Sequence, residues 1–100
     1  MATWYSIELD DGEAAKTLQK IMNAFMPKYI GSGRPLGMAI FTSHNKETKI
    51  TTAYFSPQAA SLAMQFGADS CESDFADVEL SLLVGDENSI DYLFPEAEER

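Results

Sequence analysis

The stretch TWYSIELDDGEAAKTLQKIMNAF, residues 3–25, decides the fold class. In its first part Tyr5, Ile7 and Leu9 alternate with Trp4, Ser6 and Glu8, and a repeat of two predicts a half-buried strand. Asp10 then lies three residues before Glu13, which is the spacing of a capping box at a helix start. Apolar side chains follow at helical spacing as far as Pro27, where we expect the helix to end.

In the rest of the sequence, the same kinds of pattern predict three more strands and a second helix. The predicted elements are a strand at 36–43, a polar turn at 44–47, a strand at 48–55, a helix starting at Ser56 and Pro57 and ending at Gly67, an acidic loop at 69–77 and a strand at 78–84. Serine before proline is a favoured helix start, and glycine is a favoured helix end.

The resulting order β-α-β-β-α-β predicts a two-layer α+β sandwich with a ferredoxin-like arrangement. A mainly antiparallel sheet would carry both helices on one face. We expect one domain over residues 1–94 and an acidic tail at 95–100. Residues 89–94 are ambiguous, because they fit either an extra C-terminal strand or an apolar anchor lying across the sheet.

The composition is that of an ordinary globular domain. The chain has 100 residues, of which 45% are hydrophobic and 23% charged. A chain of this size and composition can form one hydrophobic core without disulfides or structural metals. The single cysteine cannot form an internal disulfide. The first residues lack the basic and apolar regions of a signal peptide, and no stretch approaches the ~20 apolar residues of a membrane span. We therefore expect a cytoplasmic protein with no membrane partner.

Charge is distributed very unevenly along the chain. Residues 1–50 hold six basic and five acidic side chains, net +1, whereas residues 51–100 hold one basic and eleven acidic side chains, net −10. Such asymmetry bears on solubility and on the choice of partner. The eleven acids are Asp69, Glu72, Asp74, Asp77, Glu79, Asp86, Glu87, Asp91, Glu96, Glu98 and Glu99.

No catalytic residue is predicted. His44 is the only histidine, and in a polar turn it lacks the orienting partner and the nucleophile that a catalytic histidine needs. Cys71 has acidic neighbours in the sequence, whereas an activated thiol needs basic ones. We interpret His44 as a solvated turn residue and Cys71 as a structural or incidental cysteine.

No metal or cofactor is predicted either. Registers starting at Asp69, Glu72 or Asp74 do not match the spacing of a calcium-binding loop. The glycine-rich stretch 31–37 lacks the phosphate-loop and dinucleotide signatures, so we interpret it as a flexible connection. One ligand hypothesis stays open, in which Arg34 with Tyr54 or Trp4 lines an anion or small-ligand site.

Direct nucleic-acid binding is not expected. RNA-recognition modules carry a Lys/Arg-Gly-aromatic signature on their third strand, whereas here that strand has only Lys49 before it and no glycine. A net charge of −9 also repels phosphates, which supply most nucleic-acid affinity.

The charge pattern instead favours a non-enzymatic protein-interaction module. Its acidic surface would dock on a basic protein surface, such as that of a nucleic-acid-binding protein, as an inhibitor of the anti-CRISPR or DNA-mimic kind does. Acidity that serves solubility alone is the plainer interpretation. The partner-binding residues of the hypothesis are Asp69, Glu72, Asp74, Asp77, Glu79, Asp86, Glu87 and Asp91.

The alternative hypothesis is a homodimeric ferredoxin-like protein that binds a small ligand or is a weak enzyme. Its basis is the sheet face away from the helices, where Trp4 with Leu83 and Ala39 or Phe41 would form an exposed apolar patch.

Overall fold

The computed structural model describes residues 3–29, 37–72, 75, 78–85 and 87–94, with the backbone alone described for 26–29 and 87. Five strands and three α-helices lie within these residues. In chain order they are β1 (Trp4–Asp10), α1 (Asp11–Tyr29), β2 (Ala39–Asn45), β3 (Ile50–Phe55), a 3₁₀ turn (Pro57–Ala59) leading into α2 (Ala60–Gln65), β4 (Asp69–Cys71), β5 (Ser81–Gly85) and α3 (Glu87–Leu93).

The strands form one antiparallel sheet in the order β4-β1-β3-β2-β5, so the predicted α+β class is confirmed. The ferredoxin-like order is not confirmed. The strand predicted at 78–84 forms as β5 beside β2 rather than beside β1. The place beside β1 is taken by β4, in a segment that we predicted to be loop.

Helix α1 starts as predicted and ends later than predicted. The Glu13 amide donates a hydrogen bond to Asp10 Oδ1 at 3.1 Å, which caps the first turn. The helix continues through Pro27 to Tyr29. A proline in the last turn forfeits a single backbone hydrogen bond, and its fixed φ is compatible with helix.

The turn between β2 and β3 is organised by Asn45. Its Oδ1 accepts hydrogen bonds from the amides of Glu47 at 2.9 Å and Thr48 at 3.2 Å. Lys49 closes the turn with a φ of 59° and donates its amide to the Asn45 carbonyl at 2.8 Å. His44, which we predicted in the turn, is therefore a residue of β2.

The main core lies between the sheet and the first two helices. Both helices pack on the same face, as predicted, and bury residues of α1, α2, β2 and β3 together. The fully buried residues of this core include Ile21, Phe25, Ile40, Ala53, Phe55, Leu62 and Ala63.

A second, aromatic cluster covers part of the opposite face. Trp4 is 7% exposed and Phe41 is 3% exposed, because Phe75 and Phe94 pack on them. The Trp4 ring centroid lies 4.9 Å from that of Phe75 in an edge-to-face contact and 5.8 Å from that of Phe94. Such ring pairs add to the stability gained by burial. The predicted exposed apolar patch is thus covered by the chain itself.

Residues 89–94 do not add a strand, since α3 spans Glu87–Leu93. They form the apolar anchor of the second interpretation, in helical form. Ile90, Leu93 and Phe94 pack into the aromatic cluster at helical spacing. Tyr92, which strand alternation would bury with Ile90 and Phe94, is 52% exposed.

Two buried serines anchor α3 and the start of β2. Ser89 Oγ accepts the Gly37 amide at 3.0 Å. Ser56 occupies the predicted N-cap position but makes no side-chain cap. Its hydroxyl instead accepts the Ala39 amide at 3.1 Å and donates to the Gly37 carbonyl. The hydroxyls of Ser56 and Ser89 therefore satisfy the backbone hydrogen-bonding groups of Gly37 and Ala39, where α3, β2 and the turn after β3 meet.

A β-bulge in the pairing of β2 with β5 changes which side chains face the helices. The register shifts between Ile40 and Phe41. As a result Leu82 joins the aromatic cluster, whereas Leu83 and Val84 both pack in the main core. None of the described helices has the length and apolar character needed to cross a membrane.

Candidate functional site

The second sheet face is apolar at one end and polar at the other. The aromatic cluster occupies the end at Trp4. Toward the other end the register sets Ser6 opposite Tyr54, and Glu8 and Ser43 on either side of Thr52. Alternate residues of a strand share one face, so these side chains continue the face that carries Trp4.

Two adjoining clefts lie over this polar end. The smaller has a volume of about 390 Å³ and the larger about 760 Å³. They share Glu8, Thr52, Tyr54 and Val78, so they form one continuous depression, which we call the acidic groove. Both clefts are shallow and open to solvent.

Carboxylates line the acidic groove along its length. Glu8, Asp69 and Glu72 line the smaller cleft, and no lysine or arginine is among its described lining residues. Glu47 and Glu79 line the larger cleft together with Lys46. The groove is therefore negative overall, and most strongly so in the smaller cleft.

No lysine or arginine forms an ion pair with these carboxylates within the part of the chain that the structure describes. The ion pair found there joins His44 Nε2 to Asp11 Oδ1 at 3.4 Å, with side chains 48% and 55% exposed. Lys16 and Lys20 are exposed on α1, which packs on the other face of the sheet. The groove acids consequently present their charge to solvent or to a partner.

Tyr54 lies at the junction of the two clefts and has a raised pKa. Burial is the largest cause, because it disfavours the phenolate, and negative charge on Cys71 and then on Glu8 acts in the same direction. A hydrogen bond from the Thr52 side chain opposes the shift. The neutral phenol therefore adds a hydroxyl to the groove and no charge at neutral pH.

The structure brings together some of the residues that the sequence predicted for partner binding. Asp69, Glu72 and Glu79 line the groove, whereas Asp91 is exposed on α3 and lines neither cleft. The predicted partner-binding residues outside the described side chains are Asp74, Asp77, Asp86 and Glu87.

The three residues of the ligand hypothesis have different positions. Tyr54 lines both clefts. Trp4 is buried in the aromatic cluster and lines neither of them. Arg34 lies outside the described residues.

Several groove residues were missed by sequence reasoning, among them Ser6, Glu8, Glu47 and Thr52. The signal for the first two was present, since the alternation of 3–9 places them on the face of Trp4. Glu8 was left out of the partner-binding set because the net charge of −10 directed the prediction to residues 51–100. Pairing of β1 with β4 instead brings Glu8 into one cleft with Asp69.

The groove lining includes one histidine and one cysteine. His44 lines the larger cleft and is hydrogen-bonded to Asp11, whereas Cys71 lines the smaller one. Among the described residues no group of three or more His, Cys, Asp or Glu side chains is placed to hold a metal ion. Carboxylates and hydroxyls in this arrangement suit an organic cation, which needs acceptors but no fixed coordination geometry.

Comparison with known proteins assigns no family. No family model matches the chain, and no curated protein or solved structure matches it either.

Proposed function

We propose that the protein is a non-enzymatic interaction module that captures a basic surface of another protein. The observation that carries the proposal is the acidic groove, whose carboxylates outnumber the one lysine that lines it and form no ion pair with lysine or arginine within the described residues. Unpaired surface charge of one sign attracts and orients a partner of the other sign.

A nucleic-acid-binding protein is the partner class that this chemistry favours. Its basic surface normally meets phosphates, and a field of carboxylates competes for the same cations. The module would then act as an inhibitor of the DNA-mimic or anti-CRISPR kind. Cytoplasmic location is part of the proposal, and the free thiol of Cys71 is compatible with it.

For the architecture we propose a modified ferredoxin-like sandwich, with β5 and α3 added beside β2. The run β4-β1-β3-β2 with α1 and α2 on one face supports it. The homodimeric ligand-binding protein has less support, because Trp4 and Phe41 are already buried within one chain.

The charge hypothesis predicts capture that depends on the groove carboxylates and on ionic strength. Immobilised protein should retain a basic protein at about 0.05 M salt and release it by about 0.5 M, because screening shortens the reach of exposed charges. The triple variant Asp69→Asn, Glu72→Gln, Glu79→Gln should retain at least about tenfold less, since three attractive contacts are weakened. A DNA oligonucleotide should compete with the immobilised module for the basic protein and release it.

A charge-preserving triple variant is the matched control. Asp69→Glu, Glu72→Asp and Glu79→Asp together keep the net charge, so capture should stay near the wild-type level. Capture that persists at high salt, or that is equal in the neutral and the charge-preserving variants, would contradict the proposal.

A further inference from the structure

The second sheet face leaves a site whose shape and chemistry favour an extended, arginine-bearing segment. We infer that the acidic groove seats such a segment of the partner across β4, β1, β3 and β2, with guanidinium groups on its carboxylates. This inference deepens the proposed function and rests on it.

Shape supports an extended occupant rather than a helix. The residues that line the groove come from four neighbouring strands, β4, β1, β3 and β2. Strands lie about 4.8 Å apart, so these four span about 14 Å. An extended chain rises about 3.3 Å per residue, and a segment of about five residues therefore crosses them.

Apolar wall residues support a cation with a long carbon stem. Phe75 and Val78 line the smaller cleft together with its carboxylates, and Val78 also lines the larger one. Arginine and lysine side chains lay their methylene stems along apolar surface and keep the charge at polar groups. A compact inorganic cation would leave this wall without a contact.

Arginine is favoured over lysine by the distribution of acceptors. Carboxylates stand on both sides of the Tyr54 junction, with Asp69 and Glu72 in one cleft and Glu79 in the other. A planar guanidinium donates five N–H groups and stacks on aromatic rings, whereas an ammonium is a strongly hydrated point charge. Alternate arginines of an extended segment would place one side chain over each cleft.

The test uses a blocked pentapeptide of alternating arginine and glycine as its probe. Calorimetric titration of the intact protein should show binding that is weaker for the lysine analogue and lost for the glutamine analogue. Amide resonances of Ser6, Thr52 and Tyr54 should shift on titration. If the peptide binds and the shifts instead map to α3, the inference fails while the proposed function stands.

One substitution tests the site without removing any of its carboxylates. Thr52→Arg places a guanidinium opposite Glu8 at the junction, where it should occupy the groove and lower peptide affinity by at least about tenfold. An opposite-charge cross-strand pair is stabilising, so the thermal midpoint should not fall. Gln19→Arg makes the same charge change on the exposed surface of α1 and should lower the affinity less than twofold, roughly the effect of a remote screened charge.

Equal weakening by the two arginine variants would overturn the inference, because only net charge would then matter. If no basic peptide or protein binds at all, the proposed function fails with it.

Discussion

Tyr54 is the residue at which the two halves of the second sheet face meet. Its ring centroid lies 5.2 Å from that of Phe75 in an edge-to-face contact, and its side chain lines both clefts. Burial between these neighbours is the main reason why the pKa of Tyr54 is raised above the ordinary value of 10.0, and the charges of Cys71 and then Glu8 add to the shift.

The first residue-scale prediction concerns this phenol. The absorbance titration of the phenolate, taken as wild type minus Tyr54→Phe, should give a pKa above 10.0. Cys71→Ser removes one cause of the shift and should move the titration back toward 10.0. A midpoint at or below 10.0 would contradict the described environment.

The raised pKa of Tyr54 also predicts that the protein loses stability as the pH rises above 10.0. The folded state favours the neutral phenol of Tyr54, which therefore contributes to the free energy of unfolding. This contribution is complete below the unfolded-state pKa of 10.0 and is lost as the pH rises through the pKa of the folded state. The free energy of unfolding should accordingly fall less steeply in Tyr54→Phe than in wild type over that alkaline range, as measured by urea denaturation.

At the scale of elements, local patterns predicted the first half of the fold. The cap at Asp10 and the polar turn between two β-rich runs are encoded within a few residues of each other, so β1, α1 and the β2–β3 pair could be inferred. The edge strand β4 depends on a distant partner instead, whereas the other edge strand, β5, alternates and was predicted. The three residues of β4 carry no alternation of their own and are strand because they pair with Trp4, Tyr5 and Ser6.

Helix α3 shows a signal that was present and misinterpreted. Ile90, Leu93 and Phe94 follow helical spacing, but the same stretch also alternates, and a seven-residue window fits both periods.

The acidic groove could be predicted from the sequence only in part. The acids Asp69, Glu72 and Glu79 stood out by charge, whereas Glu8 belongs with them only through the sheet register.

The anchoring of α3 gives the element-scale prediction. Ser89 is fully buried and accepts the Gly37 amide, so Ser89→Ala leaves a buried donor without its partner and should cost about 1–3 kcal/mol in urea denaturation. Exchange of the Gly37 amide should accelerate. Ser61→Ala on the exposed surface of α2 is the matched control, expected within about 0.5 kcal/mol of wild type. Equal losses in the two variants would refute the anchoring role.

At the scale of the whole molecule, a net charge of −9 acts on a body 34 × 33 × 22 Å in extent. The Debye length is about 30 Å at 0.01 M salt and about 10 Å at 0.1 M. At the lower concentration every surface acid therefore repels the others across the molecule, whereas at the higher one repulsion is confined to neighbours. Self-repulsion of this kind destabilises the compact state.

Salt should consequently have opposite effects on folding and on binding. Raising sodium chloride from about 0.01 M to about 0.1 M should raise the thermal midpoint by about 2–5 °C, which corresponds to under about 1 kcal/mol for a domain of this size. Capture of a basic partner should weaken over the same range, because screening that relieves repulsion within the chain also removes attraction between chains. The variant Asp69→Asn, Glu72→Gln, Glu79→Gln should show a smaller rise by scanning calorimetry. A wild-type midpoint that is flat or falling with salt would mean that the acids are neutralised within the fold, and the groove would then lack the charge on which its proposed role depends.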